Sequence, residues 1–127
     1  MNTNDYLKDF KSAVEPLVLA GTVRVVDEKS DPAYFGDSLL VLEGSRIRIR
    51  LVADRGQFFA DVSSVAAPPR WLPLQSVLPH VIAGTSPSWG PWKTIPELGR
   101  LLQAHFFAIE VFLNSGDPAL SRIREVT

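Results

Sequence analysis

The sequence predicts an α+β fold in which an N-terminal helix and a C-terminal helical half pack on one face of a three- or four-stranded antiparallel sheet. Three observations support this prediction. Residues 38–64 contain three β-type runs joined by turn signals, helix-period apolar spacing lies on either side of them, and 127 residues suit one domain spanning 1–127.

The N-terminal segment, residues 4–19, is predicted to be an amphipathic helix, with Gly21 as its terminator. Proline inside a helix removes one backbone donor, so Pro16 predicts that the helix stops near Val14 or bends there. The β-branched run 22–27 predicts an edge strand. Residues 28–38 predict a connection, with Tyr34 and Phe35 as aromatic plugs against the sheet.

The central meander is predicted from strict alternation in its middle strand, residues 46–53. Ile47, Ile49 and Leu51 fall on one face, which predicts that they belong to the core. The flanking strands are 39–43 and 57–62. Their turns contain Gly44 and Gly56, since glycine tolerates the positive φ of hairpin loops.

The C-terminal half begins with a proline-rich linker at 65–73, followed by a helix that Pro79 keeps short or kinked. Thr94 predicts the N-cap of a long helix, Ile95–Leu113. A short helix at 119–126 ends the chain. Phe107 and Val111 lie outside the main apolar stripe and need a cover, for which the terminal helix is the simpler choice and a homodimer through Ile95–Leu113 the second.

Composition excludes several classes of function. A net charge of −1 argues against a general nucleic-acid binder, which needs many cationic contacts to phosphates. The absence of cysteine excludes disulfides and thiolate metal sites. The N-terminus has no leader-like apolar core, and no window approaches the roughly 18 apolar residues of a membrane span. A cytoplasmic location is therefore expected.

Arginines provide the first candidate contact surface. Arg46, Arg48 and Arg50 are predicted to project from one face of the middle strand, where they suit an acidic protein surface or phosphates. The alternative is an ordinary solvated sheet face, on which the arginines pair with acids of adjacent strands such as Glu43 or Asp61.

The following turn and the tryptophans provide the other candidates. Asp54 and Arg55 lie at the tip of the second hairpin. Tryptophan is enriched at interaction hot spots, so a groove for a peptide or a subunit is one interpretation of the three tryptophans, and closure of the core by loops is the other. They are Trp71, Trp89 and Trp92, with Pro87 and Pro91 beside the last two.

Catalysis and cofactor binding have no support in the sequence. Neither a nucleophile elbow nor a glycine-rich phosphate loop occurs. Asp54 and Asp61 flank one hairpin without further signs of an acid–base pair. His80 and His105 lie on different predicted helices without a nearby acid at ligand spacing, and His105 falls in an apolar stripe, which predicts a core imidazole. No cofactor and no metal are expected.

One stretch resembles a known group of proteins. The segment FGDSLLVLEGSRIRIRLVADRGQFFADV, followed by a proline break and WLPLQSVLPHV, is similar to short uncharacterised bacterial proteins. Some of these resemble the immunity proteins of polymorphic toxin systems. The similarity covers residues 35–81 and rests on the turn at 52–57. It implies a small cytoplasmic α+β domain that binds and silences a cognate toxin, with no toxin-binding residue assigned by position.

The predicted function is a non-catalytic protein-binding module of the immunity-protein type. Its contact surface is expected at the arginine face, the 54–57 turn or the tryptophan loop. The alternative is a small-ligand-binding or enzymatic domain with a pocket between sheet and helices near Trp71, His80 and Trp92. The sequence leaves the partner and the oligomeric state open.

Overall fold

The computed structural model describes residues 6–31, 37–66, 69–85 and 91–126, and it confirms the α+β fold. Among these residues the helices are α1 (Tyr6–Leu19), α2 (Leu74–Val77), α3 (Ile95–Leu113) and α4 (Ala119–Arg122). The strands are β1 (Arg24–Asp31), β2 (Asp37–Glu43), β3 (Ile47–Asp54), β4 (Gln57–Ser64) and β5 (Leu72–Pro73).

The sheet is an antiparallel meander in the order β1-β2-β3-β4-β5. Four long strands match the larger predicted number. The two-residue β5 lies within the segment predicted to be a linker, where Leu72 pairs with Val62 and Pro73 with Asp61. Proline is tolerated in this strand because it lies at the edge of the sheet, where a backbone donor can be missing.

The first hairpin is longer than predicted. β1 continues to Asp31 and β2 begins at Asp37, so most of the predicted connection is strand. All eight residues of β1 are exposed, which explains why this strand shows no alternation of apolar and polar residues. Tyr34 and Phe35, predicted to be aromatic plugs, lie outside the described residues.

Helix α1 continues past Pro16 to Leu19, so the predicted stop near Val14 is wrong. Pro16 itself is exposed, while Phe10, Val14 and Leu17 are buried on the opposite side of the helix. Burial of this stripe outweighs the one lost backbone bond. Gly21, at φ +74°, ends the helix as predicted.

The C-terminal helices follow the predictions in part. α2 is short and continues into a 3-10 turn at Leu78–His80. α3 has the predicted bounds, and the Thr94 hydroxyl accepts a 3.2 Å hydrogen bond from the Glu97 amide. α4 ends at Arg122, four residues before the predicted end. The chain is then extended, and the Val126 amide donates to the Trp71 carbonyl.

The core lies between one face of the sheet and helices α1 and α3. Ile47, Ile49 and Leu51 are each 1% exposed, which confirms the predicted core face of β3. Phe107 and Val111 on α3 are 70% and 62% exposed. The prediction that α4 folds back over them is therefore wrong, and dimerisation through this helix stays a prediction.

The β3–β4 turn holds Arg55 at φ +53° and Gly56 at φ +79°. Left-handed backbone at both central positions defines a type I′ turn, for which Asn-Gly is the preferred pair and arginine is unsuited. We expect Arg55→Asn to raise the free energy of unfolding by about 0.5–1 kcal/mol, measured by urea denaturation. The control is Arg46→Asn in the β2–β3 turn, where φ is not positive. Equal effects of the two substitutions would contradict the explanation from backbone strain.

Candidate functional site

The candidate site is the face of the sheet opposite the core, here called the outer face. Strand register places Leu39, Val52 and Phe59 side by side across β2, β3 and β4, and all three are half-buried. Val41 lies next to this row on β2 and is also half-buried. The outer face therefore has an apolar centre, whereas the sequence predicted only its arginines.

Two of the three predicted arginines lie on this face. Arg48 and Arg50 alternate with the buried isoleucines of β3. Arg46 precedes the strand, in the turn between β2 and β3, and its carbonyl accepts a hydrogen bond from the Asn114 side chain. Arg46 therefore lies one residue before the strand, and Arg48 and Arg50 lie within it.

Arg48 and Arg24 share one carboxylate. Arg48 Nε lies 3.0 Å from Glu43 Oε1, and Arg24 Nη2 lies 2.8 Å from Glu43 Oε2. The hydrogen bonds from Arg48 first and Arg24 second lower the pKa of Glu43. The structure thus shows the paired arrangement that was the alternative interpretation of the arginine face.

Arg50 is held more tightly, between an acid and an indole ring. Its Nε and Nη2 atoms lie 3.1 and 2.9 Å from Asp61 Oδ2, and its guanidinium carbon lies 4.5 Å from the ring centre of Trp71. The Asp61 side chain is only 8% exposed. Burial raises the pKa of Asp61, although the hydrogen bond from Arg50 acts in the opposite direction. Arg50 therefore neutralises a buried acid and is not a free cation for a partner.

One end of the outer face is acidic and concave. Asp31, Asp37 and Asp54 lie on three adjacent strands, and together with Leu39 and Val52 they line a groove of about 640 Å³. The Asp54 side chain is 61% exposed. Lys29 also lines this shallow groove, and three aspartates against one lysine give it a net negative charge that attracts a cationic side chain of a partner.

The opposite end of the outer face is basic. Arg46 is exposed, and the Arg24 side chain is 76% exposed even though it pairs with Glu43. No ion pair of Arg46 is found among the described residues. Arg24 and Arg48 therefore share Glu43 at this end, and the exposed Arg46 lies in the adjacent β2–β3 turn.

The β3–β4 turn carries Asp54 and Arg55, both exposed. The Arg55 amide donates a 2.8 Å hydrogen bond to Asp37 Oδ1, and this bond ties the turn to the start of β2. Arg55 Nε lies 4.0 Å from Asp54 Oδ1, with 82% of the arginine side chain exposed. The turn thus forms the rim of the acidic groove.

The tryptophans are not assembled into one aromatic group within the described structure. Trp71 covers Arg50, whereas the Trp92 amide donates to the Phe58 carbonyl at the other end of β4. Trp89 lies outside the described residues. His80 stacks on Phe112 with ring centres 5.0 Å apart. No hydrogen bond or ring contact joins Trp71, His80 and Trp92, the residues of the alternative ligand pocket.

The remaining candidate residues, His105 on α3 and the two aspartates Asp54 and Asp61 on the sheet, lie in different parts of the structure. His105 is half-buried, not fully enclosed by the core as predicted. Asp54 pairs across the hairpin with Gln57 and Asp61 with Arg50, so the two carboxylates do not face each other. Within residues 6–31, 37–66, 69–85 and 91–126, no cluster of three or more histidines or acids has a metal-binding arrangement.

Sequence reasoning missed the apolar row and the burial of Asp61. Leu39, Val52 and Phe59 are far apart in the sequence, and only the register of three strands brings them together. One residue in the sequence indicated this row: Phe59 is aromatic but lies at a position of β4 where alternation predicts an outward-facing polar side chain.

No helix in the described part of the chain is long and apolar enough to cross a membrane.

Comparison with protein-family models, with curated proteins and with solved structures gave no match to this chain. Its functional interpretation therefore depends on the surface itself.

Proposed function

We propose that the chain is a non-catalytic protein-binding domain and that the outer face of the sheet is its contact surface. The observation that carries this proposal is the half-exposed row of Leu39, Val52 and Phe59 between an acidic and a basic end. Protein interfaces combine an apolar, aromatic centre with a polar rim in which arginine is enriched.

The paired arginines fit the same role. Arg48 and Arg50 are held in place by Glu43 and Asp61, so their methylene stems and guanidinium planes lie in fixed positions beside the apolar row. A surface ordered before binding loses less side-chain entropy in a complex. These arginines then supply flat contact area, and the exposed Arg46 supplies the long-range attraction.

The charges of the outer face indicate what kind of partner surface is complementary to it. Its surface has an apolar centre, a cationic side chain that enters the groove beside Asp37 and Asp54, and carboxylates that face Arg24 and Arg46. The narrower proposal, that this partner is a toxin silenced by binding, is supported by the resemblance of residues 35–81 to immunity proteins.

The test is coexpression of the chain with the product of the adjacent gene, followed by size-exclusion chromatography and titration calorimetry. We expect Val52→Glu to weaken the complex at least about 100-fold, because it places a charge at the centre of the apolar row. The matched control is Val111→Glu on α3, a residue that is 62% exposed and lies outside the outer face. Both variants are checked for an unchanged thermal transition.

Three outcomes contradict the proposal or its narrower form. If a complex forms and Val52→Glu leaves its affinity unchanged, the outer face is not the contact surface. If the adjacent gene encodes a toxin and the chain neither binds it nor protects cells from it, the immunity proposal is wrong. An equal loss with Val111→Glu would move the contact surface to α3.

A further inference from the structure

Among the described residues, strand β1 is an edge of the sheet with no strand paired on its outer margin, and its charges alternate in sign. Its pairing with β2 places Arg24, Asp27, Lys29 and Asp31 on the outer side, with one extra residue, Val26, at a bulge. All four are exposed, and Asp27 and Lys29 have no ion pair among the described residues. An open edge with unpaired backbone groups accepts another strand unless its side chains prevent it.

We propose that this edge pairs with the β1 strand of a second copy of the chain. The two strands run antiparallel about a twofold axis at Glu28, so the five-stranded sheets join into one of ten strands. This interface uses the edge of β1 and shares Arg24, Lys29 and Asp31 with the margin of the outer-face contact surface proposed above. It predicts a homodimer that does not use α3.

The charges of β1 select this register. When the axis passes through Glu28, Asp27 of each copy faces Lys29 of the other, and Arg24 faces Asp31 across the bulge. The outer side then has four opposite-charge pairs, and directly opposed side chains of this kind stabilise antiparallel strands. Arg24 keeps its own bond to Glu43 at the margin of this interface.

In the neighbouring registers that also keep outer residues opposite outer residues, like charges of the two copies face each other. An axis through Asp27 opposes that residue to itself and Arg24 to Lys29. An axis through Lys29 opposes that residue to itself and Asp27 to Asp31. Each shift therefore replaces attraction by like-charge contact at every outer position.

On the inner side of β1 this register opposes Glu28 to itself, and Lys11 of each copy compensates that like-charge contact. Two Glu28 side chains meet at the axis, and each is already bound to Lys11 of its own α1 helix, with Nζ 2.9 Å from Oε2. Val25 and Val26 are 37% and 43% exposed at this edge. Val25 also lines a groove of about 430 Å³ between α1 and β1. A second copy at this edge covers exposed apolar surface as well as backbone groups.

The strength of the dimer is expected to be modest. One strand pair with flanking valines buries less surface than a standard protein interface, and the bulge at Val26 interrupts the ladder near its end. We expect a dissociation constant in the micromolar range or weaker. Sedimentation velocity over a concentration series should therefore show a monomer–dimer equilibrium.

Charge reversal tests the register. We expect Asp27→Lys and Lys29→Glu, each alone, to weaken the dimer at least about tenfold, because each creates two like-charge contacts. The double exchange Asp27→Lys with Lys29→Asp should restore association. Mixing the two single variants should also restore it, since the lysine introduced at 27 then faces the glutamate introduced at 29. The control Lys93→Glu changes the same charge away from the edge and should leave the equilibrium unchanged.

Three outcomes would overturn the proposal: a chain that stays monomeric up to about 1 mM, a dimer that Lys29→Glu leaves intact, or single variants that do not associate with each other. Phe107→Glu identifies the alternative interface, because loss of the dimer in that variant alone would place it on α3. None of these measurements requires the outer-face partner, so this proposal and the proposed function fail independently.

Discussion

Replacing Arg50 by methionine is expected to lower the free energy of unfolding by about 2–3 kcal/mol at neutral pH. The substitution leaves Asp61 charged, buried and without the guanidinium that donates two hydrogen bonds to it. Removing one partner of a buried ion pair typically costs about 3–5 kcal/mol. The lower value is expected here because the Arg50 side chain is 24% exposed, so water can partly replace it.

The loss should depend on pH in a defined direction. The folded-state pKa of Asp61 is already raised by burial, and losing Arg50 removes the hydrogen bond and the charge that lower it. A group whose pKa is higher in the folded state contributes stability below its unfolded pKa and loses it as the pH rises through the folded pKa. The difference between Arg50→Met and the unsubstituted chain should therefore shrink as the pH falls from neutral toward the ordinary aspartate pKa of about 3.9.

Arg48→Met is the matched control on the same strand face. Its partner Glu43 keeps the hydrogen bond from Arg24, and its surroundings are more open. Because Glu43 is less buried than Asp61 and keeps a second arginine, loss of Arg48 is expected to cost less than loss of Arg50. The pKa of Glu43 is lowered, so its contribution is lost as the pH falls, opposite in sign to that of Asp61. Urea unfolding of both variants at several pH values checks the prediction, and equal losses in the two variants would contradict it.

The contrast between Arg48 and Arg50 shows what sequence alternation can predict. Period-2 spacing correctly assigned Ile47, Ile49 and Leu51 to the core, because each strand has only two faces. It also placed Glu43 and Asp61 as candidate ion partners. It could not predict that Asp61 is buried while Glu43 is half-buried, because alternation within β3 and β4 does not reveal β5, which pairs Pro73 with Asp61.

The other predictions were less accurate where the structure depends on contacts between residues far apart in the sequence. Helix α3 was predicted with its correct ends from Thr94, Glu97 and the apolar stripe, since capping and periodicity are local. β5 was missed because two residues beside a proline carry no periodicity. The three tryptophans looked like one group from composition alone, yet Trp71 lies over Arg50 of β3, whereas Trp92 pairs with Phe58 of β4.

The α1–α3 crossing is another feature that the sequence did not reveal, and it predicts a second large effect. Gly99 is buried in α3 where that helix meets α1. A Cβ atom at this position would lie 2.7 Å from the Ala13 carbonyl oxygen and 2.8 Å from the Ala13 Cβ. The nearest obstacle is backbone, so no side-chain rotation can relieve the contact.

Gly99→Ala is therefore expected to lower the free energy of unfolding by about 2 kcal/mol or more. Overpacking a well-packed core typically costs about 1–3 kcal/mol, and the backbone contact places this site at the upper end. Helix propensity acts in the opposite direction, since alanine is about 1 kcal/mol better than glycine inside a helix. The expected value includes this compensation.

Ala104→Gly on the exposed side of the same helix measures the propensity contribution alone. We expect it to destabilise the chain by about 1 kcal/mol. Ala13→Gly should rescue Gly99→Ala only in part, because it removes the Ala13 Cβ and leaves the carbonyl oxygen in place. Urea denaturation of the three variants gives the comparison. Stabilisation by Gly99→Ala would show that α1 and α3 separate readily, and the close crossing would then not be what fixes the two helices against the sheet.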